Sequence, residues 1–231
     1  MRWLHWLLAL SASSLHPNGY GRDFAQEREE MVATQVVARG VRDALTLAAM
    51  RKVPRHLFVP PAGVAQAYED HPVPIGHGQT ISQPYVVAFM TEVLGLTGGE
   101  TVLEVGTGCG YQAAVLAEIA SHVYTIEIVA PLAAEAEERL KRLGYAKVTV
   151  RAGDGYLGWP EAAPFDAIMV TAAAPRVPEP LKRQLKDGGR LVVPVGEDWQ
   201  ELVLVTRRGE RFEERRVLPV RFVPMTGKVR E

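Results

Sequence analysis

A short apolar segment, residues 102–105, runs directly into the sequence Gly-Thr-Gly-Cys-Gly at positions 106–110, and an apolar helical pattern follows. Glycine has no Cβ atom, so such a loop can adopt left-handed backbone conformations and lets a ligand approach the main chain closely. Open α/β sheets bind their ligands in the crevice at the carboxyl ends of the strands. This stretch therefore predicts an α/β domain with a ligand site where the strand ends.

After residue 98 the chain alternates short apolar, β-branched segments with helical patterns. We predict strands at 101–105, 122–126, 147–151, 165–170, 190–195 and 201–207, and helices at 110–120, 131–143 and 178–185. Strand–helix–strand succession favours right-handed crossovers and a parallel sheet covered on both faces, whereas the last strands have no helix between them. The prediction is a Rossmann-like, doubly wound α/β fold with a mostly parallel sheet, helices on both faces and antiparallel edge pairing.

The amino-terminal part of the chain has a different pattern. Apolar residues spaced three and four apart predict helical structure from 23 to about 49, with a stop at Gly40 and a second helix from Asp43. Residues 70–84 hold three prolines and two glycines, and a helix is predicted at 84–94. A long irregular loop in a compact domain is uncommon unless it is functional. We therefore predict an extension at 1–22 and a single domain at 23–231, with a helical cap and a substrate loop at 70–84.

Three carboxylates near strand ends indicate the ligand. Glu127 follows Gly106 by 21 positions, at the place of a carboxylate that binds a ribose diol. Glu104 would repel a pyrophosphate but would tolerate the ammonium and sulfonium charges of S-adenosyl-L-methionine. Asp154, between two glycines after the next strand, could accept the adenine amino hydrogen. We predict S-adenosyl-L-methionine as the cofactor, with a nicotinamide as the alternative; each acid taken alone is more often a solvated carboxylate.

The charge balance and the cysteine count exclude several partners. The chain has 26 Lys and Arg against 27 Asp and Glu, and no basic run, whereas proteins that neutralise phosphates normally carry a basic excess. We therefore expect no nucleic-acid partner. The single cysteine, Cys109, rules out an intramolecular disulfide and a Cys-based zinc site, and we predict no metal. We interpret Cys109 as a small loop residue, because no partner base for a nucleophilic thiol is evident.

The first residues weakly resemble an export signal. Arg2 precedes an apolar run of eight residues and then a few small ones. The run contains His5, is too short to span a bilayer and lacks a convincing cleavage site. We therefore expect a cytoplasmic protein with no membrane partner, and export is the alternative.

Several motifs, in the expected order, resemble the protein-L-isoaspartate O-methyltransferase family. They are Gly-Gln-Thr-Ile-Ser-Gln-Pro at 78–84, Leu-Glu-Val-Gly-Thr-Gly-Cys-Gly-Tyr at 103–111, Gly-Asp-Gly at 153–155, Phe-Asp-Ala-Ile-Met-Val-Thr-Ala-Ala-Ala-Pro at 165–175 and Arg-Phe-Val-Pro-Met-Thr at 221–226. The Thr-Ile-Ser-x-Pro motif is specific to this family. The chain departs from the family at Cys109, commonly Ser, and at Thr171, commonly Gly, which bears on cofactor affinity.

The resemblance implies methyl transfer from S-adenosyl-L-methionine to the free carboxyl of L-isoaspartyl residues in damaged proteins and peptides, which begins their conversion to aspartyl through a succinimide. A free carboxylate has a pKa of about 4, so it is ionised at pH 7 and needs no general base. Ser82 stands at the family's active-site serine, where a hydroxyl can hydrogen-bond the incoming carboxylate without quenching it. The alternative role for Ser82 is to cap the helix that begins near Pro84.

These inferences give a predicted site and its partners. The cofactor-binding residues are predicted to be Thr80, Ile81, Gln83, Glu104, Gly106, Gly108, Gly110, Glu127, Asp154, Gly155 and Thr226. Ser82 is predicted to be catalytic and to bind substrate, together with backbone from Val220, Arg221, Phe222 and Val223. We expect a monomer.

Two other functions fit parts of the sequence. The first is a methyltransferase for a small molecule or RNA. The neutral charge of the chain disfavours it. Residues 171–175 also disfavour it, because they read Thr-Ala-Ala-Ala-Pro where base amino-methylators have a Pro-Pro-aromatic motif. The second is a non-catalytic module that binds adenosine compounds or altered proteins. The intact glycine loop together with Ser82 argues against it.

Overall fold

The computed structural model describes residues 22–230, so the predicted extension at 1–22 lies, apart from Arg22, outside the described residues. Within the described range, no helix has both the length and the apolar character needed to cross a membrane.

The amino-terminal region forms a helical cap. Its two α-helices are α1 (Phe24–Met31) and α2 (Ala44–Lys52). The chain continues from α1 through a π-helical and a 3-10 turn that end at Gly40, whose φ of 99° is the left-handed conformation typical of a helix stop. Asp43 caps α2, because its Oδ2 accepts the N–H of Thr46 at 2.7 Å. The predicted stop at Gly40 and the helix start at Asp43 are confirmed.

A two-stranded hairpin occupies the middle of the predicted irregular loop. Its strands are β1 (Val73–Gly76) and β2 (Gln79–Ile81), paired antiparallel, and α3 (Pro84–Leu94) follows. The turn holds His77 at a φ of 52° between two glycines that also have positive φ. The prediction of irregular structure is wrong for these strands, because their prolines and glycines hide the alternation typical of a strand.

The main sheet has seven strands within the described part of the chain. They are β3 (Thr101–Val105), β4 (His122–Glu127), β5 (Val148–Ala152), β6 (Phe165–Val170), β7 (Leu185–Val195), β8 (Gln200–Arg208) and β9 (Arg211–Val220). Their order in space is β5-β4-β3-β6-β7-β8-β9; the pairs up to β6–β7 are parallel, and the last two are antiparallel. This confirms the mostly parallel sheet with an antiparallel edge. The sequence analysis missed β9, because this edge strand is rich in exposed charged residues.

Helices cover both faces of the sheet, as predicted. The remaining helices are α4 (Tyr111–Ala117), α5 (Ala130–Arg142) and α6 (Glu179–Arg183). Along β3, Val102 belongs to a core cluster that includes residues of α3, α4 and α5, whereas Leu103 and Val105 belong to a second cluster that includes α6. Two clusters on opposite faces follow from the alternation of side chains along a strand.

The strand order places a crevice at the end of β3. This strand lies between β4 and β6, so the chain leaves it toward one side of the sheet and later returns on the other. Such a switch point opens a crevice at the carboxyl ends of the strands. The glycine loop begins there.

Candidate active site

The glycine loop after β3 uses backbone conformations that favour glycine. Gly106, Gly108 and Gly110 have φ values of 101°, 54° and 88°. The N–H of Gly106 donates to the carbonyl of Ile126 in β4 at 2.8 Å. A Cβ atom on Gly106 would lie 2.3 Å from Oγ1 of Thr171, which follows β6. The loop is thus held between two strand ends, with no room for a side chain at Gly106.

Glu127 is the last residue of β4, and its side chain forms hydrogen bonds that hold the glycine loop. Its Oε2 accepts the N–H of Gly108 at 2.8 Å, and its Oε1 accepts the N–H of Val129 at 3.0 Å. The side chain is buried yet borders a cavity. A carboxylate oxygen can accept more than one hydrogen bond, so Glu127 can hold the loop and still accept hydrogen bonds from a ligand.

Glu104 lies beneath the loop and does not border the cavity. Its Oε2 accepts the hydroxyl of Thr125 at 2.6 Å, whereas its buried Oε1 has no hydrogen-bond partner among residues 22–230. The hydroxyl of Thr125 also lies 2.7 Å from that of Thr107 in the loop. Burial raises the pKa of Glu104 to about 8; the nearby Glu127 carboxylate adds to this rise, and the Thr125 hydrogen bond opposes it. Glu104 is therefore largely protonated at neutral pH.

The raised pKa of Glu104 makes stability depend on pH. Its ordinary pKa is 4.5 and its folded value is about 8, so the folded protein holds this proton more tightly than the unfolded chain. The stabilisation is complete below about pH 4.5 and is lost as the pH rises to about 8. Glu104→Gln cannot ionise, so we expect its melting temperature relative to wild type to rise between pH 5 and 8. A difference that stays constant over this range in thermal melts would contradict the assignment.

The cavity at the carboxyl edge is bordered by the glycine loop, the hairpin and the carboxyl-terminal tail. Seven predicted cofactor residues line it: Thr80, Ile81, Gly106, Gly108, Glu127, Gly155 and Thr226. The other four are not among its lining residues: Gln83, Glu104, Gly110 and Asp154. Gly110 begins α4 instead, with the left-handed φ given above. The cofactor contacts of all eleven residues stay predictions.

A second cavity adjoins the first. Both are lined by Thr80, Ser82, Thr171, Val223 and Pro224. The second is also lined by the predicted peptide-binding residues Val220, Arg221 and Phe222 and by Gln83. The residues predicted to bind cofactor and the residues predicted to bind substrate are thus brought to neighbouring cavities.

Ser82 lies at the junction of the two cavities. The helix α3 is capped at its amino end by Gln83 without a side-chain hydrogen bond, and the Ser82 hydroxyl makes no hydrogen bond to residues 22–230. The helix-capping alternative is therefore wrong. The hydroxyl is available to a ligand in either cavity.

Asp154 fastens the carboxyl-terminal tail. Its Oδ1 accepts the N–H of Tyr156 at 2.9 Å, and its Oδ2 accepts the N–H of Lys228 at 2.8 Å. A Cβ on Gly227 would lie 2.4 Å from Oδ2, so the tail approaches this carboxylate closely. This contact holds the segment that carries Thr226 over the first cavity.

Several lining residues were not assigned by the sequence analysis. Gln112, Ile128, Val129 and others line the first cavity. They directly follow the glycine loop or Glu127, but sequence position alone does not say which side chains turn inward. Cys109 also lines the cavity; it is buried, and burial raises the pKa of its thiol. Within residues 22–230, no cluster of three His, Cys, Asp or Glu side chains is placed to hold a metal ion.

Comparison with known families accounts for this arrangement. The family described as Protein-L-isoaspartate(D-aspartate) O-methyltransferase (PCMT) matches residues 26–230. The chain belongs to the protein-L-isoaspartate O-methyltransferase family. The match spans the helical cap, the hairpin, the glycine loop and the tail, so the family resemblance read from the motifs is confirmed.

Relatives in this family are similar over most of their length. Protein-L-isoaspartate O-methyltransferase 2 of Shewanella sediminis is 56% identical over 213 residues, which is 91% of this chain and 87% of the relative. Protein-L-isoaspartate O-methyltransferase of Opitutus terrae is 58% identical over 209 residues, 90% of each chain. The one from Methylorubrum populi is 59% identical over 200 residues, 86% of this chain and 94% of the relative.

Two solved structures of the protein-L-isoaspartate O-methyltransferase family share the fold. One is 32% identical with a TM-score of 0.81, over 87% of this chain and 67% of the other. The second, from Plasmodium falciparum, is 27% identical with a TM-score of 0.74, over 86% of this chain and 98% of the other. It was solved in complex with S-adenosyl-L-homocysteine.

Proposed function

We propose that this protein transfers a methyl group from S-adenosyl-L-methionine to the free carboxyl of L-isoaspartyl residues in damaged proteins and peptides. The product then begins its return to aspartyl through a succinimide. The observation that carries this proposal is the Ser82 hydroxyl, which makes no hydrogen bond within residues 22–230 and lies between two adjoining cavities, one beside the glycine loop and one beside residues 220–223. The names of the relatives and the bound S-adenosyl-L-homocysteine of the Plasmodium structure support it.

The first cavity fits an adenosine-containing cofactor. Gly106 and Gly155 line it with backbone alone, and neither position can carry a side chain, since a Cβ on each would lie 2.3 Å from Thr171 and 2.4 Å from Val105. Glu127 would accept hydrogen bonds from the ribose hydroxyls with the lone pairs that its two backbone contacts leave free. When bound, S-adenosyl-L-methionine supplies a methyl group on a positively charged sulfur. Glu104, behind the loop, is largely protonated at neutral pH, so it would offer the positively charged groups of the cofactor little negative charge, contrary to the expectation from the sequence.

The second cavity would hold the acceptor carboxyl, with Ser82 as the catalytic residue. An isoaspartyl carboxylate is already ionised at pH 7, because its pKa is about 4. No group on the protein therefore has to remove a proton. The Ser82 hydroxyl would donate a hydrogen bond to one carboxylate oxygen and leave the other free to attack. Orienting two reactants in this way can lower a barrier by several kcal/mol. The chain's contribution is therefore positioning.

Residues 220–223 would bind the peptide through their backbone. This segment continues from β9, the outermost strand, so its sheet partner lies on one side only. An extended peptide can add to such an edge by main-chain hydrogen bonds. Main-chain recognition suits an enzyme that must accept many different proteins around one altered residue.

The decisive experiment compares two matched peptides. The purified protein is given S-adenosyl-L-methionine with a labelled methyl group and a peptide that carries either isoaspartyl or aspartyl at one position. We expect labelling of the isoaspartyl peptide and background labelling of the aspartyl peptide, with none of RNA. Equal labelling of both peptides, or labelling of RNA alone, would refute the proposal.

The proposal extends to the setting of the enzyme. We propose that residues 23–231 act as one domain and that the enzyme works as a monomer in the cytoplasm on proteins, not on nucleic acid. Residues of the cap, such as Met31 and Met50, belong to the same core cluster as Val102 of the sheet, which supports a single domain. The near-neutral charge, 26 basic against 27 acidic residues, supports a protein substrate.

A further inference from the structure

The side chain of Gln200 extends the sheet beyond the end of β8. Gln200 is the first residue of β8 and pairs with Val220, the last residue of β9. Beyond this pair β8 offers no further backbone to Phe222, because the chain before Gln200 turns back toward β7. The amide of Gln200 takes that place: its Oε1 accepts the N–H of Phe222 at 2.6 Å, and its Nε2 donates to the carbonyl of Phe222 at 3.3 Å.

A glutamine is suited to this position by its chemistry. Its amide carries a donor and an acceptor, as a backbone residue does, whereas a carboxylate only accepts and an aliphatic side chain does neither. Gln200 is 9% exposed, so solvent competes little for these bonds. Its Nε2 also donates to the carbonyl of Glu197 at 3.3 Å, which orients the amide.

The hydrogen bonds of Gln200 help to determine which backbone groups of residues 221–223 stay available to a ligand. Phe222 is bound to Gln200, and the next carbonyl, that of Val223, accepts the N–H of Ala173 at 2.8 Å. No hydrogen bond within residues 22–230 uses the N–H or the carbonyl of Arg221, or the N–H of Val223. In an extended chain, alternate residues present their polar groups to opposite sides, so binding Phe222 on one side turns those of Arg221 to the other. Arg221 and Val223 both line the second cavity.

We propose that Gln200 is a positioning residue for the protein acceptor: by binding both polar groups of Phe222 it aligns the free N–H and carbonyl of Arg221 and the free N–H of Val223 for an extended peptide. This rests on the proposed function, since the peptide is the isoaspartyl acceptor. Gln200 acts through Phe222 and does not line either cavity. Its loss should therefore weaken peptide binding and leave the cofactor site unchanged.

The test uses Gln200→Ala and Gln200→Glu with Gln184→Ala as a matched control. Gln184 makes the same pair of bonds elsewhere: its Oε1 accepts the N–H of Trp159 at 2.8 Å, and its Nε2 donates to the carbonyl of Leu157 at 2.7 Å. For an isoaspartyl peptide with several residues on each side, both Gln200 variants should show about a tenfold higher KM and a kcat within about twofold of wild type. S-adenosyl-L-homocysteine affinity should not change, and Gln184→Ala should keep the wild-type KM.

Two further readouts separate positioning from general damage. A minimal acceptor, an isoaspartyl residue blocked at both ends, offers little backbone, so the KM penalty should shrink with it. Hydrogen exchange of the Phe222 amide should be faster in Gln200→Ala. An unchanged KM, an equal penalty for both acceptors, or a parallel loss of cofactor affinity would overturn the proposal for Gln200. Failure of the wild type to methylate either acceptor would instead refute the proposed function.

Discussion

Glu127→Ala should weaken the binding of S-adenosyl-L-methionine on the order of 100-fold, the larger of the two strongest effects that we expect. The ribose diol would lose its two hydrogen bonds to the carboxylate, which at about 1.5 kcal/mol each, the low end for bonds to a charged group, amounts to about 3 kcal/mol. The variant also leaves the N–H of Gly108 without its acceptor, so the glycine loop loses one of the hydrogen bonds that hold it. Glu127→Gln should fall between alanine and wild type, since an amide oxygen can still accept one bond.

The matched control for Glu127 is Glu100→Ala. The Glu100 carboxylate also accepts backbone N–H groups, those of Thr97 and Gly98, at 2.7 and 2.8 Å. Glu100 directly precedes β3, however, and so lies at the amino ends of the strands, away from the cavities. Titration calorimetry with S-adenosyl-L-homocysteine should show lost affinity only for the Glu127 variants. Affinity within threefold of wild type for Glu127→Ala would disprove the ribose contact. An equal loss for Glu100→Ala would mean general loosening of the domain.

Ser82→Ala should lower kcat by about 10- to 100-fold with little change in cofactor affinity. The expected loss corresponds to one hydrogen bond to a charged carboxylate, about 1.5–3 kcal/mol, that is made as the acceptor is oriented for transfer. Because the Ser82 hydroxyl makes no hydrogen bond within residues 22–230, removing it should change the free energy of unfolding by less than about 0.5 kcal/mol.

The matched control for Ser82 is Ser121→Ala. The Ser121 hydroxyl donates to the carbonyls of Gly99 and Glu100 at 3.0 and 2.7 Å, and the residue directly precedes β4 at the edge opposite the cavities. It should cost some stability and no activity. Single-turnover rates of methyl transfer, together with thermal melts, separate the two effects. A transfer rate of Ser82→Ala equal to wild type would remove the catalytic role.

Much of the fold could be predicted because its elements are encoded locally. The strand at Thr101–Val105 and the helix at Pro84–Leu94 have the predicted bounds, and Gly40 stops a helix as expected. The hairpin strand at Val73–Gly76 and the edge strand at Arg211–Val220 were not predicted. Prolines and glycines in the first and exposed charges in the second hide the pattern of a half-buried strand, and pairing with a neighbouring strand stabilises both.

The candidate site divides in the same way. The glycine loop and Glu127 were found from spacing, because the loop needs glycine and the next strand must end beside it. The free hydroxyl of Ser82 could not be found this way, since a serine before a helix reads equally well as a cap. The burial of Glu104 and its protonated carboxyl could not be predicted either, because they depend on the packing of the glycine loop and β4 against it.

The sequence by itself determined the α/β fold, the family motifs and the glycine loop, because those depend on backbone preferences and side-chain patterns over a few residues. Only the tertiary structure decided which distant groups meet. Asp154 binds the N–H of Lys228, 74 positions later, and Gln200 binds Phe222, 22 positions later. Such hydrogen bonds form only when the packed core brings two strand ends or a tail into register, so no local pattern records them.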